Sequence, residues 1–298
     1  MSDFRLKVFR SVAKNLSFTK ASQELFVSQP AITKHIQELS AAYQTRLFDR
    51  QGSRISLTES GNLLLEHCER ILEDYKRLEY EMHLLHNEYT GGLKLGASTT
   101  IAQYVLPPLL ASFIGKFPQV SLSLLNGNSR EIEAALQEHR IDLGFVEGVF
   151  RLPNIRYTTF LEDELVAVVR TGSKLAVGEE ITPDELFHLP LVLRERGSGT
   201  LDVFERALQQ HNIKLSSLQV LMYLGSTESI KLFLEHTDCL GIVSVRSITR
   251  ELYSGQLRVV EIKGMPMLRD FSFAQPQGQE SGLAQVFMQF AMHNNHKL

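Results

Sequence analysis

Residues 17–36 read SFTKASQELFVSQPAITKHI, and this stretch decides how the start of the chain folds. At helical spacing it contains two short amphipathic segments, one ending near Phe26 and the next beginning after Ser28. Ser17 and Ser28 stand where helix N-caps are expected, and Pro30 follows at an early helical position, where a missing N–H costs nothing. The stretch therefore predicts two helices joined by a tight turn, the second starting with small polar side chains.

The flanking segments extend this pattern into a small unit that we expect to span residues 1–60. Four apolar side chains at helical spacing predict a preceding helix: Phe4, Val8, Phe9 and Val12. Residues 45–57 predict two short strands around Gly52, a wing that carries Arg50 and Arg54. A second helix whose start is small and polar fits the DNA major groove, so the unit is typical of a winged helix-turn-helix.

Charge is distributed unevenly between this unit and the rest of the chain. Residues 1–60 hold nine basic and five acidic side chains, a net charge of +4, so the remainder carries −7 of the total of −3. A basic head on an acidic body suits a head that contacts phosphates and a body that does not.

Composition describes an ordinary globular protein with more than one domain. The chain has 298 residues, of which 43% are hydrophobic and 22% charged. Two cysteines cannot form a disulfide framework, which favours a reducing compartment. The start of the chain has no apolar signal segment, and no long apolar run could span a membrane. We expect a cytoplasmic protein without a membrane partner.

A long helix is predicted from Thr58 to about Tyr89, as a linker over residues 58–90. Apolar side chains recur along it with steps of three and four, a heptad seam: Leu64, Cys68, Ile71, Tyr75, Leu78, Met82 and Leu85. Such a seam predicts a dimerising helix, and the alternative is a helix packed on its own domain. Gly91 and Gly92 follow, and we expect them to form a hinge.

From residue 91 onward, predicted strands alternate with predicted helices. The strands are expected at 93–98, 121–125, 141–146, 165–170, 191–194, 220–224 and 241–245. Alternation of this kind predicts an α/β fold with mostly parallel strands and helices on both faces. Two such sets within about 200 residues predict two lobes with a ligand cleft between them. We expect lobe I at 91–163 and 265–298, and lobe II at 164–264.

The head also carries a specific motif. It reads Phe18-Thr19-x-Ala21-Ser22-x2-Leu25-x2-Ser28-Gln29-Pro30-Ala31-x-Thr33-x2-Ile36-x2-Leu39, followed by Leu47-Phe48-Asp49-Arg50 and Leu57-Thr58-x2-Gly61. These residues resemble the LysR-type transcriptional regulators, and the architecture is similar over the whole chain. Two positions depart from the usual family pattern: Ser40 stands for an acidic residue and Gln44 for a glycine.

The resemblance implies a regulator of transcription rather than an enzyme. It implies a winged helix-turn-helix, a dimerising linker helix and an effector domain resembling periplasmic binding proteins. It also implies homotetramers that activate or repress transcription in response to a small molecule, and it leaves RNA polymerase open as a partner. No cofactor is expected.

Specific roles can be assigned to the residues that would face double-stranded DNA. Gln29 can bond bidentately to adenine, and Pro30 or Thr33 can contact thymine methyl groups. Lys34 can reach a guanine or a phosphate, while Arg50 and Arg54 suit phosphate or the minor groove, with a structural ion pair as the alternative for Arg50. The predicted DNA-binding set is Ser17, Thr19, Ser28, Gln29, Pro30, Thr33, Lys34, Arg50 and Arg54.

Four polar loops follow predicted strands in the body. Their hydroxyl and amide groups, with free N–H groups of helix starts, suit an anion, either a carboxylate or an inorganic oxyanion. The alternative for each loop alone is a helix cap. The predicted effector-binding set is Ser98, Thr99, Thr100, Asn126, Asn128, Arg194, Ser198, Thr200, Ser226 and Thr227.

No arrangement of residues typical of catalysis or of metal binding stands out. The chain lacks a phosphate-binding Gly-x4-Gly-Lys-Ser/Thr loop, a Gly-x-Ser-x-Gly elbow and a Cys-x2-Cys pair. Cys68 and Cys239 fall in different units, which disfavours a thiol switch. The rival interpretations are a solute-binding protein, which the head opposes, and an enzyme with a DNA-binding head, which lacks a nucleophile with a base.

Overall fold

The computed structural model describes residues 4–51, 54–86, 89–149, 151–175, 178–277 and 282–295. The chain forms two compact units, Met1–Glu88 and Tyr89–Leu298. In its described part, no helix is both long and apolar enough to cross a membrane.

The first unit is a winged helix-turn-helix followed by a long helix. Its elements are α1 (Phe4–Asn15), α2 (Phe18–Leu25), α3 (Gln29–Ala42), the hairpin of β1 (Phe48–Gln51) and β2 (Arg54–Leu57), and α4 (Glu59–His86). As predicted, Ser17 and Ser28 cap α2 and α3, accepting hydrogen bonds from the amides of Lys20 and Ala31 at 3.2 and 3.4 Å.

One core holds these helices together. Its buried side chains include Phe9, Val12, Ala21, Ile32, Ile36, Leu39 and Leu47. Phe26 ends α2 with a left-handed backbone (φ 54°). Gln44, where the family usually has glycine, also has a positive φ of 52°. Residues other than glycine adopt this left-handed backbone conformation at a cost of about 1 kcal/mol. The turn after α3 therefore keeps the geometry that glycine favours without the glycine.

The second unit contains a sheet of ten strands with helices packed on it. The strands are β3 (Gly91–Ser98), β4 (Val120–Gly127), β5 (Leu143–Glu147), β6 (Ile155–Arg170), β7 (Glu180–Ile181), β8 (Leu191–Arg194), β9 (Val220–Leu224), β10 (Leu240–Ser244), β11 (Leu257–Ile262) and β12 (Met267–Pro276). The helices are α5 (Thr99–Tyr104), α6 (Leu106–Lys116), α7 (Ser129–Gln137), α8 (Gly199–Gln210), α9 (Thr227–His236), α10 (Thr249–Tyr253) and α11 (Gly282–Asn294), with 3-10 turns at Pro183–His188, Leu215–Ser217 and Val245–Ser247.

Strand order divides the sheet into two lobes. Its path is β4-β3-β5-β12-β6-β10-β8-β9, with β11 also paired to β6 and β7 paired to β11. Strands β3, β4 and β5 run parallel in lobe I, and β8, β9 and β10 run parallel in lobe II. The antiparallel strands β6 and β12 join the lobes, because β6 pairs first with β12 and then with β10 and β11. The predicted α/β fold with two lobes is confirmed.

Three local predictions need correction. The single helix expected at 101–116 is two helices, α5 and α6, meeting at Val105 just before Pro107 and Pro108, whose rings cannot continue a preceding helix. Gly91 and Gly92 do not form a hinge. They are the first two residues of β3, where they pair with Val120 and Ser121 of β4. The strand expected at 165–170 begins ten residues earlier, at Ile155.

Candidate functional site

The exposed start of α3 forms one candidate surface. Gln29, Pro30 and Lys34 are exposed there, and Thr33 is half-buried with its hydroxyl donating to the Gln29 carbonyl at 3.1 Å. Thr19 Oγ1, on the exposed start of α2, lies 3.5 Å from Gln29 Oε1. Two helix starts therefore present polar side chains on the same side of this unit, with their own N-caps already satisfied by Ser17 and Ser28.

The wing lies beyond α3 as a short hairpin. In its register Arg50 pairs with Ile55, and Gln51 pairs with Arg54. The side chains of Arg50 and Arg54 lie outside the described part of the structure, so their roles in DNA binding stay predictions.

The first part of the predicted seam on α4 packs against the core of the first unit instead of facing a partner helix. Leu64 is half-buried against the core, and Cys68 and Leu72 are buried in it. Ile71, Leu78 and Met82, by contrast, are between 39% and 51% exposed. Placing Cys68 on a dimer seam is therefore wrong, because its thiol donates to the Leu6 carbonyl inside the unit at 3.3 Å.

The later residues of the predicted seam form an exposed apolar stripe along α4. Tyr75 is half-buried between the exposed Ile71 and Leu78. The Leu85 side chain lies outside the described residues. Both cysteines are buried, and burial raises the pKa of the Cys68 and Cys239 thiols to about 11, which disfavours the reactive thiolate form.

In the second unit, the predicted loops do come to the carboxyl ends of strands, but several of their side chains cap helices. Asn128 caps α7 in a capping box with Glu131, Ser198 caps α8, and Ser226 caps α9. Asn126 is exposed at the end of β4, and Thr227 is buried in the first turn of α9. Binding roles for these residues stay predictions.

Arg194 brings lobe II against lobe I. Its Nη2 donates to Thr99 Oγ1 of lobe I and to the Gly225 carbonyl, both at 3.3 Å, and its Nε contacts the Glu195 carboxylate at 2.8 Å. The side chain is only 1% exposed, and its buried Nη1 has no hydrogen-bond partner among the described residues. A buried donor in this state is costly and is satisfied by any acceptor that reaches it.

A second buried arginine was not predicted. Arg269, near the start of β12, donates from Nε to Asp163 at 2.7 Å and from Nη1 to Thr200 Oγ1 at 3.0 Å. Its Nη1 also lies 3.2 Å from the Glu147 carboxylate. Like Arg194, Arg269 has a buried nitrogen, Nη2, without a partner in the described structure.

Glu147 completes this cluster at the end of β5. Its carboxylate accepts from Ser98 Oγ at 2.9 Å and from Thr100 Oγ1 at 3.4 Å, so two of the predicted hydroxyl donors are directed at it. The signal that could have found Glu147 was present, because it is a charged residue at the end of a predicted strand. Arg269 gave no such signal, because no strand was predicted around it.

The two lobes touch across the cleft. The Arg130 amide of lobe I donates to the Gly197 carbonyl of lobe II at 3.3 Å, and Tyr104 of α5 hydrogen-bonds Glu228 of α9. Burial, together with that bond, raises the pKa of the Tyr104 hydroxyl, so it remains a proton donor. The lobes approach closely at Gly199, where a Cβ would overlap the carbonyl oxygen of Glu147.

A cavity of about 430 Å³ opens beside the crossing strands. It borders Asp163 and Arg269, and its walls do not include the loop at Ser98–Thr100, where Arg194 contacts Thr99. Its remaining walls are Gly148, Val149, Arg151, Glu162, Arg206, Leu268 and Asp270. Within the described residues, no group of three or more His, Cys, Asp or Glu side chains is arranged to hold a metal ion.

Comparison with known proteins assigns each of the two units to the same protein family. Residues 4–62 match the family model described as bacterial regulatory helix-turn-helix protein, lysR family, and residues 86–295 match the LysR substrate binding domain. An uncharacterized HTH-type transcriptional regulator of Escherichia coli K12, YeiE, is 35% identical over 258 residues, 87% of this chain and 85% of that protein.

Two further relatives are similar over most of one or both units. The RuBisCO operon transcriptional regulator of Acidithiobacillus ferrooxidans is 30% identical over 287 residues, 96% of this chain and 92% of its own. Among solved structures, the regulatory domain of Synechocystis CcmR in complex with 2-PG superposes with a TM-score of 0.62 at 28% identity, covering 68% of this chain and 97% of that one.

Gly199→Ala should hold the lobes apart. Its Cβ would meet the Glu147 backbone, and overpacking of this kind costs about 1–3 kcal/mol, which disfavours the closed arrangement roughly 5- to 150-fold. Hydrogen exchange should show faster exchange of the Arg130 amide and of residues 198–202. Gly225→Ala is the control, since a Cβ there has nothing within 4 Å. Unchanged protection of Arg130 in Gly199→Ala would contradict the contact.

Proposed function

Because the chain belongs to the LysR family of bacterial transcriptional regulators, we propose that a small anion bound between its two lobes controls how its helix-turn-helix units engage DNA. The chain is a DNA-binding regulator with an effector-binding domain and is not an enzyme. The charge of the effector, the residues that hold it and the way it acts on DNA are the proposal.

The observation that carries this proposal is the pair of buried arginines at the cleft. Arg194 and Arg269 each retain a buried guanidinium nitrogen without an acceptor. Leaving a buried donor unpaired costs about 1–3 kcal/mol, and more for a charged group. An effector with anionic oxygens removes that cost at both positions and is therefore favoured over a neutral apolar ligand.

The similarity to CcmR supports an anion of modest size. That protein's regulatory domain is known in complex with 2-PG, 2-phosphoglycolate, which carries a phosphate and a carboxylate. The loops that carry hydroxyl groups were predicted to bind the anion directly, and here two of them contact the arginines instead. Thr99 and Thr200 accept from the two arginines and so position the guanidinium groups instead of meeting the anion alone.

Ligand binding would act through closure of the cleft. Arg194 and Gly197 of lobe II already contact lobe I, and an anion that accepts from the open nitrogen of Arg194 or of Arg269 would favour this arrangement. A ligand shifts such an equilibrium only by its difference in affinity for the two states. The unpaired nitrogens would supply that difference, because an acceptor that reaches them is worth most while they are buried.

DNA reading is assigned to the exposed start of α3. Gln29 is exposed, and its amide suits bidentate bonding to adenine, for which its Oε1 would exchange the 3.5 Å contact with Thr19 for one with the base. Pro30 and Thr33 lie beside it for thymine methyl groups. Lys34 and Thr19 are exposed on the flanks, where phosphate contacts position the helix.

A head with a net charge of only +4 makes few phosphate contacts, so one copy should bind DNA weakly. Joining several heads raises affinity through effective concentration without new contacts. We assign this joining to the exposed stripe of α4, formed by Ile71, Tyr75, Leu78 and Met82, at a spacing typical of helix pairing.

Gln29→Ala should cost about 1–3 kcal/mol on the cognate site and relax base preference, because it removes a base contact. The measurement is fluorescence anisotropy with a site that the wild-type protein has selected from a random library, against unselected DNA. Arg54→Ala should weaken both DNAs and flatten the salt dependence. Equal losses on both DNAs for Gln29→Ala would rule out base reading.

Leu78→Glu should dissociate the assembly, because it places a charge in the apolar stripe that the partner helix would cover. Sedimentation velocity of the full chain at micromolar concentration should show a smaller species. Leu63→Glu is the matched control, since Leu63 is 60% exposed on the same helix and lies off the stripe. An unchanged sedimentation coefficient for Leu78→Glu would refute the stripe as the contact.

Arg194→Gln should reduce anion affinity at least about tenfold, because a charged hydrogen bond to the effector contributes about 1.5–3 kcal/mol. Thermal shift and calorimetry with glycolate, inorganic phosphate and phenol give the measurement. Arg196→Ala, an exposed arginine two residues away, is the control. Stabilisation by phenol and by none of the anions would overturn the proposal.

A further inference from the structure

The carboxylate of Glu147 sits inside the proposed effector cleft, although the cleft is proposed to bind an anion. Glu147 is 4% exposed, and its side chain contacts Ser98, Thr100 and Arg269. A buried negative charge beside an anion is repulsive unless a proton or a cation lies between them. Glu147 therefore affects which anions can bind in the cleft.

Glu147 occupies the hydroxyl hydrogens that an anion would otherwise use. A serine or threonine hydroxyl has one hydrogen to donate. Those of Ser98 and Thr100 are directed at Glu147, so a ligand oxygen near them meets lone pairs instead of donors.

The charges around the two arginines are nearly all paired. Arg194 is held by Glu195, and Arg269 is held by Asp163 and Glu147. Arg246 also lies 3.7 Å from Asp163, so three carboxylates stand among three guanidinium groups. The cluster is not a simple cationic pocket. Its open donors are Nη1 of Arg194 and Nη2 of Arg269.

One acceptor position of Glu147 also stays open. An ionised carboxylate offers about four lone-pair positions, and three donors reach that of Glu147: Ser98, Thr100 and Arg269. The two arginines thus have one unfilled donor each, and Glu147 has one unfilled acceptor. A ligand that matches all three carries anionic oxygens together with a hydrogen of its own.

We propose that Glu147 selects effectors that combine anionic oxygens with a hydrogen-bond donor, such as a hydrogen phosphate group or a hydroxy acid, and rejects fully ionised oxyanions such as sulfate. This inference rests on the proposed function, because it assumes that an anion binds in the cleft. Glu147 is a specificity residue in this account, since its lone pair accepts the ligand hydrogen.

Two probe pairs isolate the donor hydrogen. At neutral pH inorganic phosphate retains a proton that sulfate lacks, and glycolate has a hydroxyl that acetate lacks. Calorimetry and thermal shift on the full chain should show phosphate and glycolate binding at least about tenfold tighter than sulfate and acetate. A site built to bond a ligand hydrogen discriminates strongly against the analogue without it.

Glu147→Gln separates selection from folding. The amide keeps one acceptor oxygen, removes the charge and adds a donor, so sulfate should gain affinity, phosphate should lose it, and the ratio should fall toward one. Glu138→Gln, the same change at an exposed position of lobe I, should keep the wild-type ratio. The melting temperature without ligand checks that both variants fold.

The outcomes distinguish the two proposals. If the wild type binds phosphate and sulfate equally, or Glu147→Gln changes both affinities in proportion, selection by Glu147 is wrong while anion binding stands. If no anion binds to the wild type, the proposed anionic effector is wrong, and the selectivity falls with it.

Discussion

The buried guanidinium of Arg269 is the contact on which the second unit depends. It reaches Asp163 on the neighbouring crossing strand, Glu147 at the end of β5 and Thr200 at the start of α8. Asp163 in turn accepts from Ser244 at the end of β10, at 2.7 Å. One side chain thereby links both lobes at the strands that join them. Removing one partner of such a buried pair costs about 3–5 kcal/mol, because the other charge stays buried.

Burial of these charges also suits a switch. Ion pairs taken out of water contribute little net stability, since desolvation offsets most of their attraction. They are sensitive instead to geometry, and a lobe movement that breaks the contacts of Arg194 or Arg269 exposes them to water again. The contact between the lobes therefore contains two buried donors without an acceptor, and Gly199 allows the lobes to meet at Glu147.

Much of the fold followed from local patterns. The caps at Ser17 and Ser28 were predicted and are present, because capping depends on side chains within three residues of the helix start. The alternating strands and helices of the second unit were also predicted from local patterns, because the spacing of apolar residues depends on the immediate neighbours in the chain. The seam of α4 was predicted from its period, yet Leu64 and Cys68 face their own unit while Leu78 and Met82 are exposed, since a period identifies a face but not its partner.

By itself, the sequence determined the winged helix-turn-helix, the linker helix, the α/β class of the body and the polar loops at the ends of its strands. Only the tertiary structure decided that the Ser98 and Thr100 hydroxyls point at Glu147, that Arg194 reaches Thr99, and that Arg269 pairs with Asp163. Those partners are far apart along the chain and become neighbours only through strand register and lobe closure. Local spacing carries no information on either, because both are set by long-range packing of the sheet.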